Sequence, residues 1–345
     1  MFNQLKATLL KHITDVSRAP VSLQSLSHIV VLRYDRIGDM IVSLPLCKAI
    51  KSSLPNCKLT MIASASNACI TESSEYVDTT IIKPAHIFAW VKVLLRLRST
   101  NPDLVIDLNH SVAPHTIFAI RIIGPKHAAT PFKAGRWGVA GHELKMFDVM
   151  PPQHHLEYRR PIAEMYLDIA RELGLSIEGT LPYPLPKTGR PSSFSKDYVV
   201  LNIAGSRTSM RIESNELISI VKHVERLNSD LMIYVPSMPD NVSTLKVIFE
   251  NHSNVSILEP TPSITPLLPI VQYSKAVITP DTALVHIACA YSVPLVAIYT
   301  SDDALYEQWR PTNNPNAFVV RSREPKGLAG YSLPELLSCI ERVLT

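Results

Sequence analysis

The sequence predicts an α/β protein built from two Rossmann-like domains that face each other across a central cleft. Three observations lead there. Short apolar runs alternate with helix-patterned segments through both halves of the chain, as in parallel sheets covered by helices on both faces. Between the halves, Ile177 to Lys196 is rich in Pro, Ser and Gly and lacks periodicity, which marks a linker. At 345 residues the chain is also longer than one hydrophobic core usually serves.

Composition narrows the function classes. Hydrophobic residues make up 46% and charged residues 19%, which describes a globular protein and not a disordered one. The net charge of +4 is mildly basic, and no dense basic stripe interleaved with aromatics marks a nucleic-acid binder. It suits an anionic small molecule or an anionic membrane face. Cys47, Cys57, Cys69, Cys289 and Cys339 are odd in number and show no CxxC spacing, so they read as reduced thiols of a cytosolic protein. No apolar run approaches the ~18 residues of a membrane span.

The elements follow in order. Met1 to Ile13 has helical spacing of Phe2, Leu5, Leu9, Leu10 and Ile13 with Lys6 and Lys11 on the other side; this amphipathic helix either packs on the body or touches a membrane surface. His28 to Arg33 is a buried strand, Met40 to Ser53 a helix that tolerates Pro45 near its start, and Lys58 to Ala63 the next strand. Val77 to Lys83 is a strand, Ile87 to Leu97 a helix, Asp103 to Leu108 a strand, Pro114 to Ile122 a helix, and a short strand lies near Ala128. Phe132 to Gln153 reads as a long loop, and His154 to Leu173 as an amphipathic helix with Gly174 as its C-cap. Beyond the linker, strands are expected at Tyr198–Ile203, Leu231–Val235, Val255–Leu258, Ala276–Ile278 and Leu295–Tyr299. Helices are expected at 216–227, 245–250, 266–272, 283–290 and 332–344. The resulting partition is an extension (1–27), a first domain (28–180), a linker (181–197), a second domain (198–330) and a C-terminal helix (331–345).

The stretch Thr279-Pro-Asp-Thr-Ala-Leu-Val-His286 stands out in this pattern. It is a tight polar turn between a buried strand and a small-residue helix, and a second strand follows at Leu295. The N–H groups opening such a helix have no intrahelical partner, and the helix dipole adds positive charge, so the turn suits a phosphate. Asp281 and Thr282 are equally ordinary helix caps, and His286 an ordinary helix residue.

Two motifs taken together point to a family. Arg33-Tyr-Asp-Arg-Ile-Gly-Asp39, with Pro45 six residues on, resembles the amino-terminal motif of glycosyltransferase family 9, the bacterial heptosyltransferases. Asp281-Thr282 with His286 and Val293-Pro294 resembles that family's carboxy-terminal motif. Asp103 to Leu108, the helix around His155 to Leu175, Ala204-Gly205-Ser206 and Trp309-Arg310-Pro311 are similar to family features in the same order.

The resemblance implies a GT-B fold, with the acceptor on the first domain and a nucleotide-sugar on the second. It implies inverting transfer of heptose from ADP-heptose, as co-substrate, to the lipopolysaccharide inner core, a lipid A–Kdo-type acceptor. The expected place is cytoplasmic, in peripheral contact with the cytoplasmic face of the inner membrane. No metal or other cofactor is implied, and no metal-ligand cluster occurs in the sequence.

Roles can then be assigned. Inverting transfer needs a base for the acceptor hydroxyl, and Asp39 matches the family position, with helix capping as its alternative role and Asp35 as its competitor. Donor contacts fall to Gly205, Ser206, Arg207, Arg211, Asp281, Thr282, Ala283 and His286, which would meet the charge growing on the leaving diphosphate. Acceptor contacts fall to Arg36, Gly38, Asn109, His110, Lys133 and Arg136. Arg96, Arg98, Arg159 and Arg160 join Lys133 and Arg136 either as an anion-facing surface or as solvated charges.

Two departures from the family pattern matter. Met210 stands where the family often has lysine, and Ala283 where it usually has glycine. Arg211 or Arg207 is the candidate replacement for the lysine charge. These departures keep open a family 9 enzyme with another nucleotide-sugar donor, and a catalytically silent GT-B binding protein. A dinucleotide-dependent oxidoreductase is disfavoured, because no GxGxxG follows either first strand.

Overall fold

The computed structural model describes residues 2–16, 20–152, 159–203, 205 and 207–345. The chain divides into two compact units, Met1–Pro184 and Leu185–Thr345. The division falls inside the proline-rich stretch 177–196.

In unit 1 the strands β1 (His28–Leu32), β2 (Lys58–Ala63), β3 (Thr79–Ile82), β4 (Leu104–Asp107) and β5 (His127–Ala129) form a parallel sheet in the order β3-β2-β1-β4-β5. All five residues of the central β1 are buried. A strand covered on both faces needs apolar side chains on both, which explains the unbroken Ile-Val-Val-Leu run. The helices are α1 (Phe2–Thr14), α2 (Ile37–Ile41), α3 (Leu44–Ser53), α4 (Ala68–Glu72), α5 (Ile87–Arg98), α6 (Pro114–Ile123) and α7 (Ile162–Glu172).

Several boundaries differ from the sequence expectation. The helix expected from Met40 to Ser53 is two helices, and the first begins at Ile37. The break precedes Pro45, which has no N–H for the Ile41 carbonyl and whose ring would clash with it. Ser43 Oγ donates instead to the Met40 carbonyl at 2.7 Å. The helix α4 was not expected, because five residues are too few to show a period. Residues 154–158 of the helix expected from His154 lie outside the described residues, and α7 starts after Pro161. It ends as expected at Gly174, whose φ of 75° lets Leu175 N–H reach the Ala170 carbonyl at 2.8 Å. The amino-terminal helix α1 packs on α6, with Leu10 and Thr14 buried.

In unit 2 the strands are β6 (Tyr198–Leu201), β7 (Met232–Pro236), β8 (Val255–Leu258), β9 (Ala276–Pro280), β10 (Leu295–Tyr299) and β11 (Ala317–Arg321), parallel in the order β11-β10-β9-β6-β7-β8. The helices are α8 (Ser214–Leu227), α9 (Val242–Ile248), α10 (Leu267–Gln272), α11 (Ala283–Ala290), α12 (Asp303–Trp309) and α13 (Leu333–Leu344). Neither α12 nor β11 was expected. The C-terminal α13 buries Leu336 and Ile340 against this sheet and belongs to its core.

Each sheet has one place where the chain reverses its direction of travel across the strands. In unit 1 it lies between β1 and β4, and in unit 2 between β6 and β9. Ligands of open α/β sheets bind beyond the carboxyl ends of strands at such switch points. The Arg33–Asp39 and Leu108–His110 turns leave one of them, and Asn202 with Ile203 and the Asp281–Thr282 turn leave the other.

Candidate active site

At the first switch point a buried arginine organises the carboxylates. The side chain of Arg33 is 3% exposed and pairs through Nη2 with Asp39. Its Nη1 donates to Asp35 Oδ2 at 3.0 Å and to the Leu108 carbonyl at 3.1 Å. Asn67, fully buried, holds the same turn by donating from Nδ2 to the Arg33 and Arg36 carbonyls, each at 3.3 Å.

Asp39 lies in the first turn of α2, but the cap position is Arg36, whose side chain makes no capping bond. The Asp39 carboxylate is committed to Arg33 and stays 15% exposed. Burial pushes its pKa above the usual carboxylate range, and Arg33 pulls part of the way back. A partly exposed carboxylate with raised proton affinity is suited to accept a proton. Asp35 is 42% exposed and pairs with the same arginine. Gly38 is helical inside α2, so neither a positive φ nor an unusual turn accounts for it.

A second buried cluster supports this one from β4. Asp107 and Lys133 are both 0% exposed and pair at 3.0 Å. Asp107 also accepts from Thr116 Oγ1 at 2.8 Å and from Asn109 Nδ2 at 2.7 Å. Burial opposes the Asp107 charge, and Lys133 with Asn109 outweighs it, holding the carboxyl below its usual range.

Lys133 was expected to face an anionic acceptor, and that expectation is corrected. Its ammonium is spent on Asp107 and, at 2.6 Å, on the Asn109 carbonyl. A fully desolvated ammonium needs such partners more than it needs a ligand. Asn109 is likewise turned inward. His110 stacks on Tyr166 at 5.3 Å, with Nε2 3.1 Å from its hydroxyl. Burial, aided by Arg33 and Lys133, pushes its pKa down to about 3, so it is a neutral ring. Arg36 and Arg136 are exposed, and Arg136 lies over the Trp137 ring at 4.8 Å.

The second switch point is built from hydroxyls and dipoles. Thr282 is the extended N-cap of α11, and its Oγ1 accepts from Leu284 N–H at 3.2 Å. Asn202 Nδ2 donates to Thr279 Oγ1 at 2.9 Å and to Thr282 Oγ1 at 3.3 Å, tying the ends of β6 and β9 together. Asp281 and Ala283 flank Thr282, each partly exposed. The opening of α11 is thus held in place and can receive an anion.

Two donor-side expectations change. The Gly205 N–H, expected to face a phosphate, donates to the Met210 carbonyl at 2.7 Å. A Cβ on Gly205 would lie 2.8 Å from Met210 Cβ, so glycine is needed here for packing. Met210 is 8% exposed and belongs to the unit 2 core. His286 is 2% exposed, with its ring 5.9 Å from that of Trp309. Burial lowers its pKa to about 4, which makes it a neutral packed ring. Ser206 lies outside the described residues. Arg207 is exposed, and Arg211 pairs loosely with Asp240 at 3.5 Å.

Sequence reasoning missed Asp107, Asn67, Asn202 and Tyr166. The available signals were a carboxylate inside the apolar run Leu104-Val-Ile-Asp-Leu108 and an asparagine directly after a buried strand.

A family model described as glycosyltransferase family 9 (heptosyltransferase) matches residues 90–328. The chain belongs to glycosyltransferase family 9. The matched segment takes in both switch-point turns of unit 2 and the Leu108–His110 turn of unit 1. Solved structures agree on the fold. A family 9 glycosyl transferase from Veillonella parvula aligns with 95% of this chain and 99% of its own, at TM-score 0.75 and 16% identity. The Escherichia coli heptosyltransferase WaaC, solved with ADP, covers 92% of this chain and 99% of its own, at 0.69 and 17%. The E. coli ADP-heptose lps heptosyltransferase II covers 92% and 98%, at 0.71 and 17%. The family 9 chain therefore has the GT-B fold and is a glycosyltransferase of the heptosyltransferase type. No curated protein sequence matches it.

Proposed function

We propose that the protein is an inverting transferase moving a heptose from ADP-heptose to the lipopolysaccharide inner core, a lipid A–Kdo-type acceptor, at the cytoplasmic face of the inner membrane. The observation that carries this reading is the Arg33–Asp39 pair at the first switch point of a family 9 chain. WaaC has been solved with ADP and with ADP-2-deoxy-2-fluoro heptose, which supports the same donor here.

In this reading Asp39 takes the proton of the acceptor hydroxyl as that oxygen attacks the anomeric carbon. The bond from the anomeric carbon to the diphosphate oxygen breaks on the opposite face, so configuration inverts and ADP leaves with the bonding pair. Asp39 then returns its proton to solvent. Arg33 keeps the carboxylate aimed while burial keeps it basic. The negative charge on ADP is met by the opening of α11, the Thr282 hydroxyl, and Arg207 and Arg211. No metal or cofactor takes part in the reading, and ADP-heptose is a co-substrate. Arg36 and Arg136 are the exposed cations left to meet phosphates of the acceptor.

A second reading, family 9 chemistry with another nucleotide-sugar, is favoured by Met210. The position where a lysine would reach the diphosphate is filled by a buried apolar side chain. Calorimetry with ADP-heptose and a panel of other nucleotide-sugars, on wild type and Arg211→Ala, separates the two. Selective binding of ADP-heptose, weakened in the variant, is expected. Selective binding of another donor would change the product and keep the chemistry. Binding of none would favour a silent GT-B protein.

A further inference from the structure

Among the described residues of unit 1, the large apolar side chains that remain exposed gather on one set of neighbouring elements. On α5, Ile87 is 63%, Phe88 78% and Leu95 53% exposed. Phe118 of α6 is 44% exposed, Leu9 of α1 51%, and Ile82, at the end of β3 just before α5, 46%. Helix α6 packs against both α5 and α1.

The spacing on α5 is that of a two-sided helix. Trp90, Leu94 and Leu97 are buried in the unit 1 core. Phe88, Lys92, Leu95 and Arg96 share the opposite face at intervals of three and four residues, and all four are exposed. A soluble helix would place only polar side chains there. The charge on these helices has one sign: α1, α5 and α6 carry Lys6, Lys11, Lys92, Arg96, Arg98 and Arg121 and contain no Asp or Glu. Of these cations, Lys11 is engaged by Glu143 and Arg98 by the Ile122 carbonyl, while Lys92 and Arg96 stand exposed beside Phe88 and Leu95.

We propose that the α5 face, with Phe118 of α6 and Leu9 of α1, docks on an anionic membrane surface. Exposed aromatic and aliphatic side chains flanked by lysine and arginine fit the boundary between acyl chains and acidic headgroups. The apolar groups leave water, and the cations remain with the phosphates. A protein partner would meet the same face with carboxylates; a continuous anionic lipid surface meets it without a matching pattern.

The buried side of the same helix reaches the candidate active site. Trp90, two residues from Phe88, packs edge-on against Tyr34 at 6.3 Å, and His115 of α6 lies 6.0 Å from the same ring. Tyr34 sits between Arg33 and Asp35. Docking through α5 therefore holds the Asp39 turn close to the lipid, where a membrane-borne acceptor is found. This last step rests on the transferase reading; the docking itself does not.

The test is flotation with vesicles of phosphatidylglycerol and phosphatidylethanolamine, compared with phosphatidylcholine alone. Wild type is expected to float with the anionic vesicles only, and less as salt rises. The triple variant Ile87→Ser, Phe88→Ser, Leu95→Ser is expected to lose about tenfold or more in vesicle affinity, and so is Lys92→Ser with Arg96→Ser. Thermal melting and ADP binding of the triple variant should match wild type, and so should its transfer to a water-soluble, delipidated acceptor.

Wild type that ignores anionic vesicles, or a triple variant that floats like wild type, would overturn the proposal. So would light scattering showing a wild-type dimer that the triple variant splits, since a second copy would then cover the face. Vesicle binding without any donor binding would sink the transferase reading and leave the docking face standing. Transfer to the soluble acceptor without vesicle binding would do the reverse.

Discussion

The two switch points use opposite means to prepare for chemistry. In unit 1 the charges are locked in the interior: Arg33 is 3% exposed, and Lys133 and Asp107 are 0% exposed. In unit 2 the locked groups are neutral, namely the Asn202 amide, the Thr279 and Thr282 hydroxyls and the opening of α11, while Arg207 and Arg211 remain exposed. Burial, countered in part by the fixed charge of Arg33, sets the proton affinity of one carboxylate, and that needs a constant environment. Fixed dipoles with mobile cations suit a diphosphate that must enter and leave. In the proposed reaction the contrast assigns each half its own step, proton transfer in one and leaving-group charge in the other.

The contrast can be broken most severely from the charged side. Lys133→Met would leave Asp107 buried without a counter-charge, and the expected loss is about 3–5 kcal/mol in urea unfolding near neutral pH. The sign with pH follows from the lowered Asp107 pKa. The contribution of the Asp107 carboxylate is full above its unfolded range and fades as pH falls through the folded value. An unchanged unfolding midpoint would mean that the charge framework does not stabilise unit 1.

A smaller effect is expected where unit 2 is tightly packed. Gly205→Ala pushes a methyl group onto Met210 Cβ and should cost about 1–3 kcal/mol, and Met210→Ala, which keeps that Cβ, should recover little of it. Full recovery in the double variant would show that the strain lies further out along the Met210 side chain. Thr282→Ala comes last. Loss of the α11 cap should cost about 1 kcal/mol and raise KM for the donor more than it lowers kcat. Unchanged donor affinity would remove the α11 opening from the phosphate site.

Much of this architecture is legible in the sequence. The buried strands announce themselves because two covered faces demand continuous apolar runs, as in Ile29-Val-Val-Leu32 and Leu295-Val-Ala-Ile-Tyr299. The helix α4 and the edge strand β11 are less visible. One is shorter than any period, and the other is mostly half-buried and so carries a weak pattern. At the site, Asp39 and Thr282 stand at helix openings that local signals mark. Lys133 shows the limit. Its partner Asp107 is 26 residues away, and only folding reveals that the lysine faces inward. Gly205 shows another: a glycine in a turn suggests a phosphate, whereas packing against Met210 is what requires it here.

The central claim is that Asp39 is the base, held by Arg33, and Asp39→Asn tests it most directly. The amide keeps the shape and can still accept from Arg33, so the fold and ADP-heptose affinity should stay near wild type. Turnover should fall about 10²–10⁴-fold. In wild type, kcat/KM should drop as pH falls through a value above the usual carboxylate range, because burial raises the Asp39 pKa and the charged form is the active one. That acid limb should vanish in the variant. Turnover retained in Asp39→Asn, with the acid limb in place, would contradict the account and move the base to Asp35 or elsewhere.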